Sequence, residues 1–110
     1  MTTNIFDMAD TWNAGGTTFA AVKMNITDTA SAIESKFLDL RISGAMKANI
    51  LKDGSFACIT DYTDDANFAR GLFLPFGNDF YMITEAFGTG IVANLRLRAG
   101  TGRELFMGAN

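Results

Sequence analysis

The chain has 110 residues, 48% of them hydrophobic, and a net charge of −3, a length that allows one domain. Its nine basic residues are scattered among twelve acidic ones, so it lacks the basic stripe of a nucleic-acid binder, and no apolar run approaches the ~20 residues of a membrane-spanning helix. It has no histidine, which excludes the usual triads, imidazole zinc sites and histidine proton shuttles.

Ten Phe and six Met are a heavy apolar load for so short a chain with little helical periodicity. A small domain buries only about two-thirds of the surface its unfolded chain exposes. Part of that load is therefore expected between chains, in an oligomer. The alternative is a Phe-rich monomeric sandwich.

Residues 1–18 are polar and poorly periodic, with Gly15-Gly16 in the middle. The opening MTTNIFDMADTW lacks a basic n-region and an apolar h-region, so no signal peptide is expected. Without one, the sequon Asn25-Ile26-Thr27 carries little weight. Ile5, Phe6, Met8 and Trp12 read as anchors of an extended arm that docks on a partner. Trp12 has a second reading, folding back on its own domain.

The β domain is expected over 19–110. Phe19 to Thr27 reads as a strand, with Val22, Met24 and Ile26 on one face and Lys23, Asn25 and Thr27 on the other. Asp28 to Ser31 is a turn cluster. Ser31 and Glu34 fit a capping box, but the apolar spacing is too brief for a helix, and a loop into the next strand is preferred. Leu38, Leu40 and Ile42 then alternate with Asp39, Arg41 and Ser43, and Gly44 breaks the run. Met46, Ala48 and Ile50 alternate in a second strand. Lys52-Asp53-Gly54 is a tight turn, and Phe56 to Thr60 is a third strand. Cys58 reads as a small buried hydrophobe, and as the lone cysteine it can form no intrachain disulfide.

Asp61, Asp64 and Asp65 raise a calcium reading, but the spacing lacks the EF-hand glycine and distal glutamate, so a solvated loop is expected. Phe68 to Thr84 reads as a hairpin around Gly77-Asn78-Asp79, apolar on both faces. Pro75 places its strand at an edge or bulge. Ile91 to Asn110 reads as another strand pair turned by Gly100-Thr-Gly102. Offset by 55 residues, this block sets Leu40 over Leu95, Arg41 over Arg96, Ile42 over Leu97 and Ile50 over Leu105, a weak internal repeat.

The fold expected is all-β, an antiparallel meander or a small sandwich or barrel, with Leu38, Leu40, Ile42, Phe73, Phe76 and Phe80 at a subunit interface. The acids sit on turns or outward strand positions and form no cleft pair. Gly88-Thr-Gly90 and Gly100-Thr-Gly102 lack a phosphate-loop context. No base is present to activate a Ser or Thr. No enzymatic activity, cofactor or metal is expected. Phe73, Phe76, Phe80, Tyr81 and Phe87 could stack sugars, which keeps a carbohydrate-binding module as a third reading.

Trp12-Asn13, Thr17-Thr18-Phe19, Met24-Asn25-Ile26-Thr27-Asp28-Thr29-Ala30-Ser31, Leu38-Asp39-Leu40 and Lys52-Asp53-Gly54 form a pattern over Trp12 to Phe56. This stretch resembles a recurrent module of tailed-phage virion proteins. The module occurs in fibres and appendages and in prophage or gene-transfer-particle relatives. The resemblance implies a virion structural protein, commonly a homotrimer with strands interleaved about a three-fold axis. A chain of this length suits a capsid decoration or cement protein, with the arm lying on the major capsid protein. A short tail-fibre or spike adaptor is the alternative. Either places the chain in the virion after synthesis in the host cytoplasm.

Overall fold

The computed structural model describes residues 3–97 and 100–102. Its regular structure is one open antiparallel sheet of five strands in meander order: β1 (Lys36–Ile42), β2 (Ala45–Leu51), β3 (Phe56–Asp64), β4 (Asn67–Phe76) and β5 (Asp79–Phe87). No helix forms among the described residues. The fold class is therefore all-β, as the alternation of apolar and polar residues predicts.

Local chemistry sets each turn. Ser43 and Gly44 join β1 to β2 and both have positive φ, 49° and 84°. A two-residue turn with that geometry matches the twist of its flanking strands. Between β2 and β3 the Gly54 amide donates to the Leu51 carbonyl at 3.0 Å and Gly54 takes φ 91°. Between β3 and β4 the Asp64 carboxylate accepts the Ala66 amide at 2.8 Å. Gly77-Asn78 joins β4 to β5.

Residues paired across strands share a face. On one face lie Met46, Asn49, Leu51, Ala57, Phe68, Arg70 and Leu72, all buried. The core cluster is Leu51, Ala57 and Leu72, with Leu74 and Ile83 against it. From the segment before β1, Glu34 reaches this face at Arg70. Asn49 Oδ1 and Ser55 Oγ are buried there without partners, each at a cost of about 1–3 kcal/mol. This covered layer is thin, and far more large apolar side chains are exposed than buried.

Bulges change which residues share a face. Arg41 pairs with Met46 but Leu40 pairs with Ala48, so Lys47 is an extra residue in β2. An extra residue resets the two-residue alternation. Met46 thus leaves the row of Leu38, Leu40 and Ile42, while Ala48 and Ile50 remain on it. Thr60 and Thr63 are extra residues in β3. They carry the strand through Asp61 to Asp64, where the sequence had indicated a solvated loop.

Three further expectations are corrected. Phe19–Thr27 forms no strand and makes no backbone bond to the sheet, because nothing in one copy pairs with it. Ile91–Leu97 is likewise irregular, so the repeat does not correspond to repeated structure; its Leu105 lies outside the described residues, as does most of the predicted return strand. Cys58 is exposed rather than buried, because it lies on the uncovered face opposite Ala48 and Gly71. The preference for a loop over a helix at 31–35 agrees with the structure. Pro75 sits in the internal strand β4, but past Phe73, where β3 begins, so only β5 flanks it.

After β5 the chain turns at Gly88-Thr89 and folds back over the sheet. The Ile91 amide donates to Asp61 Oδ2 at 3.0 Å. Gly90 passes so close to β4 that a Cβ there would run into the Phe68 carbonyl. Gly90→Ala should therefore cost about 1–3 kcal/mol, the usual penalty of overpacking. Gly100→Ala, with open space around it, should leave the urea midpoint unchanged. Equal midpoints for the two variants at one protein concentration would refute the close approach.

Candidate functional site

Two charged clusters and one apolar surface stand out. The first cluster centres on Arg70, a lone cation in the apolar run Phe68-Ala69-Arg70-Gly71-Leu72. Its side chain is only 5% exposed. Nη1 and Nη2 donate to the Glu34 carboxylate at 2.8 and 3.1 Å. Nε donates to Glu85 Oε1 at 2.7 Å. The guanidinium carbon lies 4.8 Å from the Phe87 ring centre and 5.7 Å from that of Phe68, and the two rings stack at 4.8 Å. Burial pulls the Arg70 pKa down, but the bonds to Glu34 and Glu85 outweigh it, so the net shift is upward. A buried charge needs such partners. Glu34 is thus a strut from the segment before β1 to the middle of β4, not a helix cap.

The second cluster ties β1 to the β3–β4 turn. Arg41 Nη1 and Nη2 donate to the Asp65 carboxylate at 2.8 and 3.1 Å, and Nε donates to Asp39 at 3.0 Å. The Tyr62 hydroxyl donates to Asp65 at 2.7 Å. Bonds from Arg41, then from Tyr62, hold the Asp65 carboxyl below the usual range, and the bond to Asp65 pushes the Tyr62 phenol upward. Among the described residues no three His, Cys, Asp or Glu side chains converge on a common metal position. Both clusters are internally paired and act as struts.

The Asp28–Ser31 run and the Lys52-Asp53-Gly54 turn, far apart in sequence, meet in space. Lys52 Nζ donates to Asp28 Oδ2 at 2.9 Å, to Ser31 Oγ at 2.9 Å and to the Ser31 carbonyl at 3.0 Å. The Lys52 amide donates to the Ser35 carbonyl at 2.9 Å. A hollow of ≈390 Å³ lies beside this contact, flanked by Ile26, Lys36 and Phe37. Its Lys52 charge is already taken up by Asp28, whose carboxyl is lowered chiefly by that bond.

The apolar surface is the uncovered sheet face. Leu38, Leu40 and Ile42 run along β1, Ala48 and Ile50 along β2, Phe56 and Cys58 along β3, Phe73 on β4, and Phe80 and Met82 on β5. Leu40 is 52% exposed and Phe73 45%. Phe73 and Phe80 stack at 5.9 Å. Asp61 and Asp64 lie at one end of this face, where the segment after β5 crosses. Leu95 reaches the dip beside Cys58, Gly71 and Met82. The rest of the face is open.

Five of the six residues assigned to an interface from sequence lie on this face. Phe76 does not: it pairs with Asp79 on the opposite face and meets Tyr81 edge-on at 6.4 Å. Phe56 and Met82 belong to the surface and were not singled out, although their strand alternation carried the signal. Arg70 was missed as well. Ile5, Phe6, Met8 and Trp12 are all exposed. Trp12 stacks on Phe19 at 5.1 Å across the Gly15-Gly16 turn, where the Thr17 amide donates to the Ala14 carbonyl at 3.0 Å.

Compared with family models, curated proteins and solved structures, the chain has no match.

Glu34→Ala should lower stability by about 1–3 kcal/mol, the value of hydrogen bonds to a charged group, because it leaves Arg70 half-partnered. An unchanged urea midpoint would remove the strut from the account. Asp65 adds a pH dependence. Its native pKa is depressed, so its contribution is whole above about pH 4, the unfolded value, and is lost as pH falls through the native pKa. In an acid titration of stability, Asp65→Asn should give a shallower fall below pH ~4 than the native chain. Parallel curves would contradict the Arg41–Asp65 pairing.

Proposed function

We propose that this chain is a virion structural protein of a tailed phage, a homotrimeric capsid decoration or cement protein that stabilises the head shell. The observation that carries the proposal is the open apolar sheet face. Five strands spaced about 4.8 Å apart, at about 3.3 Å per residue, present roughly 600 Å². That is of the order of the ~800 Å² per partner of a standard stable interface. A contiguous apolar surface spread over all five strands is the kind that marks association sites. The Cα radius of gyration, 18.2 Å, exceeds the ~13 Å of a compact chain of this length. This favours a chain that completes its packing with neighbours. The virion assignment rests on the resemblance of Trp12 to Phe56 to phage appendage modules. The partners are two further copies and the major capsid protein, the latter reached through Ile5, Phe6, Met8 and Trp12.

A tail-fibre or spike adaptor is the second reading. The feature that favours it is the β4–β5 tip, which projects past β3 and exposes Phe76, Phe80 and Tyr81.

Cys58 gives a direct test, because it is exposed in the single chain and lies on the apolar face. In the native assembly it should react with a bulky maleimide many-fold more slowly than after dissociation in mild denaturant. Fast labelling of the native protein would show that the face is free. Deletion of 2–18 should abolish loading onto expanded shells while leaving the assembly intact. Full loading by the truncated chain would refute the arm as the anchor.

A further inference from the structure

Phe19–Thr27 carries strand-like alternation that the sheet does not use. Val22, Met24 and Ile26 alternate with Lys23, Asn25 and Thr27. All three apolar side chains are exposed, and none of the segment's backbone groups bonds to the sheet. A strand edge with the matching pattern stands open. Among the described residues β1 has no neighbour on its outer side. Leu38, Leu40 and Ile42 lie on its apolar face, and Asp39 and Arg41 on the other. An unpaired edge is a template for another strand.

We infer that residues 19–27 of a second copy add to the β1 edge as a sixth strand. This rests on the oligomer reading above and names the element exchanged. Val22, Met24 and Ile26 would extend the apolar row of Leu38, Leu40 and Ile42. Lys23, Asn25 and Thr27 would then lie on the polar face of Asp39 and Arg41. The β5 edge fits less well. Its corresponding rows place Tyr81 and Ile83 on the face where Asn25 and Thr27 would fall. The segment leaves its own sheet where Lys52 grips Asp28 and Ser31. That grip fixes its root and leaves the rest free to reach a neighbour.

Disulfide trapping tests the exchange in a Cys58→Ser background. One chain carries Met24→Cys; a differently tagged chain carries Leu38→Cys, Leu40→Cys or Ile42→Cys, to sample the register. Co-expression and mild oxidation should join the two tags at one of the three positions, and Thr84→Cys on β5 should trap at least ten-fold less. No trapping at any β1 position would overturn the inference. So would a doubly substituted chain that closes a disulfide within itself, since the segment would then fill its own edge. The mass of the unsubstituted protein separates the two levels: an oligomer without trapping defeats the strand exchange alone, and a monomer defeats both it and the oligomer.

Discussion

The bonds of Arg70 to Glu34 and Glu85 hold the fold together across its thinnest layer. A five-stranded meander has two faces and needs a cover on at least one. Here the cover is an irregular segment with no periodicity of its own. It stays on the sheet because Glu34 reaches a guanidinium planted in the middle of β4, beside the stacked rings of Phe68 and Phe87. Lys52 fixes the other end of the same segment. These two grips hold the segment against the sheet.

The same arrangement explains why the other face stays open. The segment before β1 is committed to the covered face. The segment after β5 crosses part of the other, held by Asp61 and by the close passage of Gly90, with Leu95 beside Cys58. Among the described residues, Leu38, Leu40, Phe56, Phe73 and Phe80 stay largely exposed. The covered layer is small and includes two unsatisfied buried oxygens, so further burial is what the fold lacks. Copies of the same chain offer a matching apolar face, and the alternating segment 19–27 offers a strand.

Much of the meander was legible in the sequence. Ser43-Gly44, Asp53-Gly54 and Gly77-Asn78 punctuate runs whose alternation names the strands. The bulges were not legible. An extra Lys47 changes no composition, yet it moves Met46 to the opposite face from Leu40. The threonines at 60 and 63 turned an acidic stretch with a loop's composition into strand. The pattern at 19–27 was read as a strand, and one copy supplies no partner for it. The pattern records a preference for extended backbone, and pairing needs a second edge. Arg70 could have been found. A single cation in an apolar strand demands carboxylates, and Glu34 and Glu85 were among the few candidates. Phe76 falls on the opposite face from Phe73 and Phe80; both faces of its hairpin are apolar, so composition alone did not separate them.

The central claim is that the open face is completed by other copies of this chain. Sedimentation equilibrium at micromolar concentration tests it most directly, on the native protein and on Phe73→Glu, which places a charge in the middle of that face. The account predicts three chain masses for the native protein, and a folded species of lower mass for the variant. A native protein that sediments as a stable folded monomer would contradict it.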